Sequence, residues 1–143
     1  MSKINVGRVV LGGLVAGVVL NIGEALLNAV ILADTMKEDM AKLGLGDPGS
    51  NTTFLIRVVG ITFFLGIAIV YLYAAIRPRF GAGWKTAACA GIFAWFFVYL
   101  YAGYVYLALG IGSAKPYLIG LVWGIVEFAV GAIAGAALYK ESE

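Results

Sequence analysis

Residues Val9–Ala33 read VVLGGLVAGVVLNIGEALLNAVILA, an unbroken apolar run of membrane-spanning length with only Asn21, Glu24 and Asn28 as polar interruptions. A bilayer core ~30 Å thick needs about 20 helical residues, so this stretch sets the scale for the chain. Three further runs match it: 55–76, 86–109 and 117–139. Backbone groups in hydrocarbon must be satisfied within their own segment, and the runs are about twice as long as barrel strands. The expected fold is therefore all-α: an integral membrane four-helix bundle forming one domain over 1–143.

Composition supports this. Apolar residues make up 62% of the 143, charged residues only 13%, and 20 are glycine. A soluble domain needs roughly a quarter of its residues charged to cover its exterior. The net charge of +2 and the scattered basic residues give no patch for a phosphate backbone, so a nucleic-acid partner is not expected. With no histidine and one cysteine, Cys89, there is no set of metal ligands and no internal disulfide. Neither a metal nor a cofactor is expected. Cys89, in an alanine-rich stretch, is expected to be a small buried thiol.

Lys3 and Arg8 precede the first run, Arg77, Arg79 and Lys85 fall in the second connection, and Lys140 follows the last run. The other side carries Lys37, Lys42 and Lys115 among Asp34, Glu38, Asp39 and Asp47. The positive-inside rule then places both termini in the cytoplasm, with the inner (plasma) membrane as the expected location. A cleaved secretory signal fits poorly: the run is too long, and Ile31 stands where a small residue is wanted. In the one long connection, 34–54, Met36, Met40 and Leu43 recur at helical spacing opposite Lys37, Glu38 and Lys42. A short amphipathic helix on the outer membrane surface is expected there, ending near Gly44 and Gly46. Asn51-Thr52-Thr53 has the form of a glycosylation acceptor, a triplet common by chance.

At about 100° per residue, Gly13, Gly17, Asn21, Glu24 and Asn28 share one stripe of the first helix. Gly120, Gly124, Glu127, Gly131 and Gly135 share one stripe of the fourth. Small residues four apart let helices approach closely, so both stripes should face protein, with their carboxylates interior. Exposing either carboxylate to lipid at mid-membrane would cost at least ~3 kcal/mol. Both lie at similar depth. If they met, one would be expected to hold a proton unless a cation balanced them. Arg57, entering the second helix from the outside, is the candidate cation, with outward snorkelling as the competing fate. Tyr99 shares a face of the third helix with Trp95 and lies near the depth of Glu127, so its hydroxyl could satisfy a carboxylate, with packing alone as the competing account of both residues. The remaining tyrosines near span ends, and Trp84, read as interface belts.

Weak similarity between Leu14–Gly17 and Ala88–Gly91 suggests a duplicated pair of spans. Asn21-Ile22-Gly23-Glu24, the turn Ile76-Arg77-Pro78-Arg79-Phe80-Gly81 and Gly124-Ile125-Val126-Glu127 together resemble small four-span bacterial membrane proteins of no assigned activity. The resemblance implies a fold and carries over no functional residue. Two functions follow from the residues themselves. The first is a non-enzymatic intramembrane site for a small polar or cationic solute, or for protons, built from Asn21, Glu24, Asn28, Glu127, Arg57 and Tyr99. The second is an accessory subunit packing its glycine faces against a larger membrane complex. Partners beyond the lipid bilayer would be a second copy or that complex. Enzymatic chemistry is not expected, because only the two glutamates offer an acid or base.

Overall fold

In the computed structural model, which describes residues 3–141, the chain is entirely helical apart from short connections. Four helices are long and apolar enough to cross a membrane: α1 (Val6–Ile31), α3 (Thr52–Phe80), α4 (Trp84–Ala108) and α5 (Ala114–Ala136). Between the first two lies α2 (Ala33–Lys42). Each long helix begins within a few residues of its predicted start, because hydropathy fixes where a span must lie. Large apolar side chains such as Ile61, Phe64, Val122 and Val126 lie on the outside of the bundle. Soluble monomers rarely expose contiguous apolar patches beyond a few hundred Å². The four apolar helices with this exterior are consistent with a multi-pass membrane protein.

Local chemistry sets the helix ends. Asn5 caps α1, its side chain accepting from the Arg8 N–H at 3.1 Å. Asn51, read from sequence as part of a glycosylation triplet, caps α3 by accepting from the Phe54 N–H at 3.0 Å. The α3 helix runs past the expected Arg77-Pro78 turn to Phe80. Proline forfeits only one backbone bond there and the helix then ends, so its usual penalty is small. Gly81 and Gly83, with φ of 87° and 130°, then turn the chain into α4. Gly44, at φ 70°, ends α2 where expected, with the Leu45 N–H donating to the Met40 carbonyl at 2.9 Å.

The helices pack through glycine. α1 lies between α3 and α5, and α4 packs chiefly on α5. The α1 stripe divides: Gly13 and Gly17 meet Ile67 and Phe63 of α3, while Gly66 of α3 meets the α1 backbone in return. Gly12, on the neighbouring face, lies against Gly135 of α5. The α5 stripe also divides, with Gly120 and Gly124 under Tyr99 of α4 and Gly131 against Leu20 of α1. Of the two glycines matched in the internal similarity, Gly17 lies under the Phe63 ring of α3, whereas Gly91 meets the Phe128 backbone and the Ala132 methyl of α5. Cys89 departs from expectation. It is exposed on the outside of the bundle, because Ala87, Ala90 and Gly91 take the inward positions that allow close approach.

The core is concentrated toward the end that carries both termini. Val9, Ala16, Val70, Ala87 and Ala90 are fully buried there, with Tyr73 and Tyr139 in edge-to-face contact at 5.9 Å. Toward the opposite end the packing opens, and no residue of α4 beyond Gly91 is fully buried. At that end α2 is tied down. The Ser113 hydroxyl, between α4 and α5, donates to Asp39 Oδ1 at 2.9 Å, and Lys42 pairs with the same oxygen at 2.9 Å.

Lys42, and then Ser113, hold the Asp39 carboxyl below its ordinary value, so the tie favours the ionised form. A depressed carboxylate contributes above its unfolded value and loses that contribution as pH falls through the folded one. The tie should therefore be complete at neutral pH and released only in strong acid. Asp39→Asn at neutral pH is expected to speed hydrogen exchange of the 33–43 amides severalfold; unchanged exchange would show that the tie does not hold α2.

Candidate functional site

The polar residues Glu24 and Asn28 of α1 lie where the bundle opens. Glu24 lies one turn before Asn28, and the Asn28 amide donates to Glu24 Oε2 at 2.8 Å and to the Glu24 carbonyl at 3.0 Å. From α4, the Tyr99 hydroxyl donates to Glu24 Oε1 at 2.6 Å. Both carboxylate oxygens thus have a donor, one from a residue 75 positions away in sequence.

These groups line a cavity of about 540 Å³, with Met36 of α2 over it and Tyr106 and Tyr117 among its walls. Two irregularities of the backbone shape it. The last turns of α1, Leu27–Ile31, and the middle of α4, Phe96–Ala102, are π-helical. Leu27, Asn28, Val98, Tyr99 and Ala102 of these wide turns all face the cavity. Isolated π turns cost regular helix bonding and recur at functional sites. Neither contains a proline, and no sequence signal announced them.

Glu127 lies on the other side of this cluster. It is only 6% exposed, and neither carboxylate oxygen makes a well-formed hydrogen bond, although the Trp123 indole N–H lies beside it. It fits because α1 has no side chain at Gly23: a Cβ there would stand 2.6 Å from the Glu127 Cδ. Glu127 remains within electrostatic reach of both Glu24 and Tyr99.

Of the sequence candidates, the structure therefore joins Glu24, Asn28 and Tyr99, with Glu127 beside them. Tyr99 was expected near the depth of Glu127; its bond goes to Glu24. Asn21 turns to α3, bonding the Gly17 carbonyl at 2.8 Å and the Val59 carbonyl at 3.4 Å. Arg57 is exposed and forms no ion pair with Glu24, so the anticipated internal cation does not enter the bundle. The ion pairs among the described residues lie at the two ends: Lys37–Asp47, Lys42–Asp39 and Arg77–Glu141. Tyr106, Tyr117 and Met36 had been assigned to interface belts and an amphipathic face. Only the folded helices show them around the cavity. Gly23, which seats Glu127, also escaped notice because it lies off the polar stripe.

Tyr99→Phe strands Glu24 Oε1 without its cross-helix donor. Losing a cross-helix hydrogen bond of this kind costs about 0.5–1.5 kcal/mol. Thermal unfolding in detergent should show that loss for Tyr99→Phe and none for Tyr104→Phe, whose ring is 61% exposed. Equal stability of the two variants would show that the bond carries no weight.

The chain matches no protein-family model, no curated protein and no solved structure.

Proposed function

We propose that this is a four-span integral membrane protein, with both termini in the cytoplasm, that holds a small polar or cationic solute, or passes protons, at Glu24, Asn28 and Tyr99. The observation that carries the reading is a carboxylate at the wall of a cavity within the spanning region, beside a second buried carboxylate, with Arg57 turned away from both. Ionisable groups at membrane depth are costly to keep and ordinarily mark ion, proton or ligand sites. A bound cation or a proton would balance the charge that no arginine balances here. Tyr99, Tyr106 and Tyr117 add aromatic faces and hydroxyls suited to a small organic cation.

Orientation follows from Lys3, Arg8, Arg77, Arg79, Lys85 and Lys140 at the terminal end, against the acid-rich 34–47 segment at the other. The cavity then opens toward the outer face. The α2 helix, with Met36 and Met40 half-buried and Lys37 and Lys42 exposed, would lie along the outer membrane surface.

The test is flux into proteoliposomes driven by gradients of protons, guanidinium and methylammonium. Movement of at least one species in the wild type, lost in Glu24→Gln, is the expected result. Equal behaviour of wild type, variant and empty vesicles for all three would remove the proposal. The competing reading, an accessory subunit of a larger complex, needed glycine faces free for a partner. Gly13, Gly17, Gly120, Gly124, Gly131 and Gly135 instead meet this chain's own helices. Purification of a monodisperse particle free of other proteins would count further against it.

A further inference from the structure

The outer seam between α1 and α5 holds a second hollow, distinct from the polar cavity. It is a groove of about 800 Å³, walled by Val19, Ile22, Val122, Val126 and Val130, with Gly23, Trp123 and Glu127 along it. Ile22, Val122, Val126 and Val130 are exposed, so the groove opens on the outside of the bundle, where the four-span reading places lipid. Its surface is almost wholly apolar, yet a buried carboxylate lies along it with two unsatisfied acceptor oxygens. The Trp123 indole N–H, also buried, lies beside Glu127 in the same groove without closing a well-formed hydrogen bond to it. Lipid tails can fill such a groove, but they offer Glu127 nothing to bond.

We infer that this groove binds a lipophilic amine that enters sideways from the bilayer, its alkyl body along the valine wall and its ammonium on Glu127. An ammonium brings three donors and a charge, enough to satisfy both oxygens once the buried carboxyl turns into the groove; a hydroxyl brings one donor and no charge. The occupant is a mobile amphiphile rather than an amine-headed phospholipid. Glu127 lies ~20 Å along α5 from Ala114, near the middle of a ~30 Å core, where a headgroup anchored at the interface does not reach. The complex holds one proton between amine and carboxylate whichever partner brings it. The inference rests on the four-span reading and not on solute binding at Glu24.

The test is saturable binding of radiolabelled dodecylamine to the full chain in nanodiscs, with dodecanol as competitor. Wild type should bind the amine one-to-one, with dodecanol at least tenfold weaker. Glu127→Gln should weaken the amine at least tenfold, and Glu24→Gln, which reaches the amine only through its field, should weaken it by much less. Val122→Trp fills the groove from an exposed position, which keeps the test open should Glu127→Gln fail to fold; it too should block binding. Undiminished binding in Glu127→Gln or Val122→Trp would overturn the inference. Dodecanol competing as well as the amine would overturn it by showing acyl-chain occupancy only. Loss in Glu24→Gln with retention in Glu127→Gln would overturn it by placing the amine in the polar cavity.

Discussion

Glu24→Gln is expected to weaken binding of a small cation at the polar cavity by at least tenfold, measured as equilibrium binding in nanodiscs. A unit charge 4 Å from a carboxylate gains about 4 kcal/mol at an effective dielectric near 20. Desolvating the ligand returns part of this, and about 1.4 kcal/mol of what remains is already tenfold in affinity. Glutamine also disturbs the neighbours. Asn28 and Tyr99 each donate to one carboxylate oxygen, and the new amide places an N–H₂ where one of those donors points. Asn21→Ala is the control, because Asn21 bonds toward α3 and does not line the cavity. It should leave binding intact. Equal loss in both variants would reveal a general disturbance of α1, and no loss in Glu24→Gln would remove Glu24 from the site.

The largest effect on stability is expected at Gly66. A Cβ there would run into the Gly13 carbonyl oxygen and stand 2.6 Å from the Gly17 nitrogen. These are backbone atoms of another helix, with no flexible side chain to swing aside, so α1 and α3 must separate. Overpacking of this kind typically costs about 1–3 kcal/mol. Gly66→Ala should reach the upper part of that range and Gly66→Leu exceed it, in unfolding from mixed micelles. Gly60, on the same helix and with nothing within 4 Å, supplies the comparison. Gly60→Ala should be neutral or stabilise by up to about 1 kcal/mol through helix propensity. If the two alanine variants lose the same stability, the close approach of α1 and α3 is not what holds the bundle.

The sequence reading succeeded where one dimension was enough. The positions of the four long apolar helices follow from hydropathy alone, and the end of the helix at 33–42 from Gly44. Depth along a helix axis was equally legible, which is why a carboxylate bonded to Tyr99 was anticipated. Rotation about the axis was not. Tyr99 took Glu24 instead of Glu127 because the partner depends on which helices are neighbours, and a single stripe of α1 turned out to serve α3 at Gly17 and α4 at Glu24. Arg57 illustrates the same limit. Its distance from Glu24 in sequence and depth allowed a pair, but its side chain is on the outside. The π turns at Leu27–Ile31 and Phe96–Ala102 were illegible for another reason: their residues are ordinary helix and interface residues, with no proline or glycine to mark the widening.

The most direct test of the acidic cavity is its reactivity. With Cys89 replaced by alanine, Ala102→Cys places a single thiol on the cavity wall, four turns of sequence away from the protein's own cysteine. The chain in sealed vesicles is treated with membrane-impermeant cationic and anionic methanethiosulfonates, applied from each side in turn. Labelling is expected only from the side that carries α2, faster for the cationic reagent by about tenfold, the factor that ~1.4 kcal/mol of local field provides. That preference should vanish in Glu24→Gln. A thiol unreactive from both sides, or labelled without regard to reagent charge, would contradict a charged cavity within the membrane.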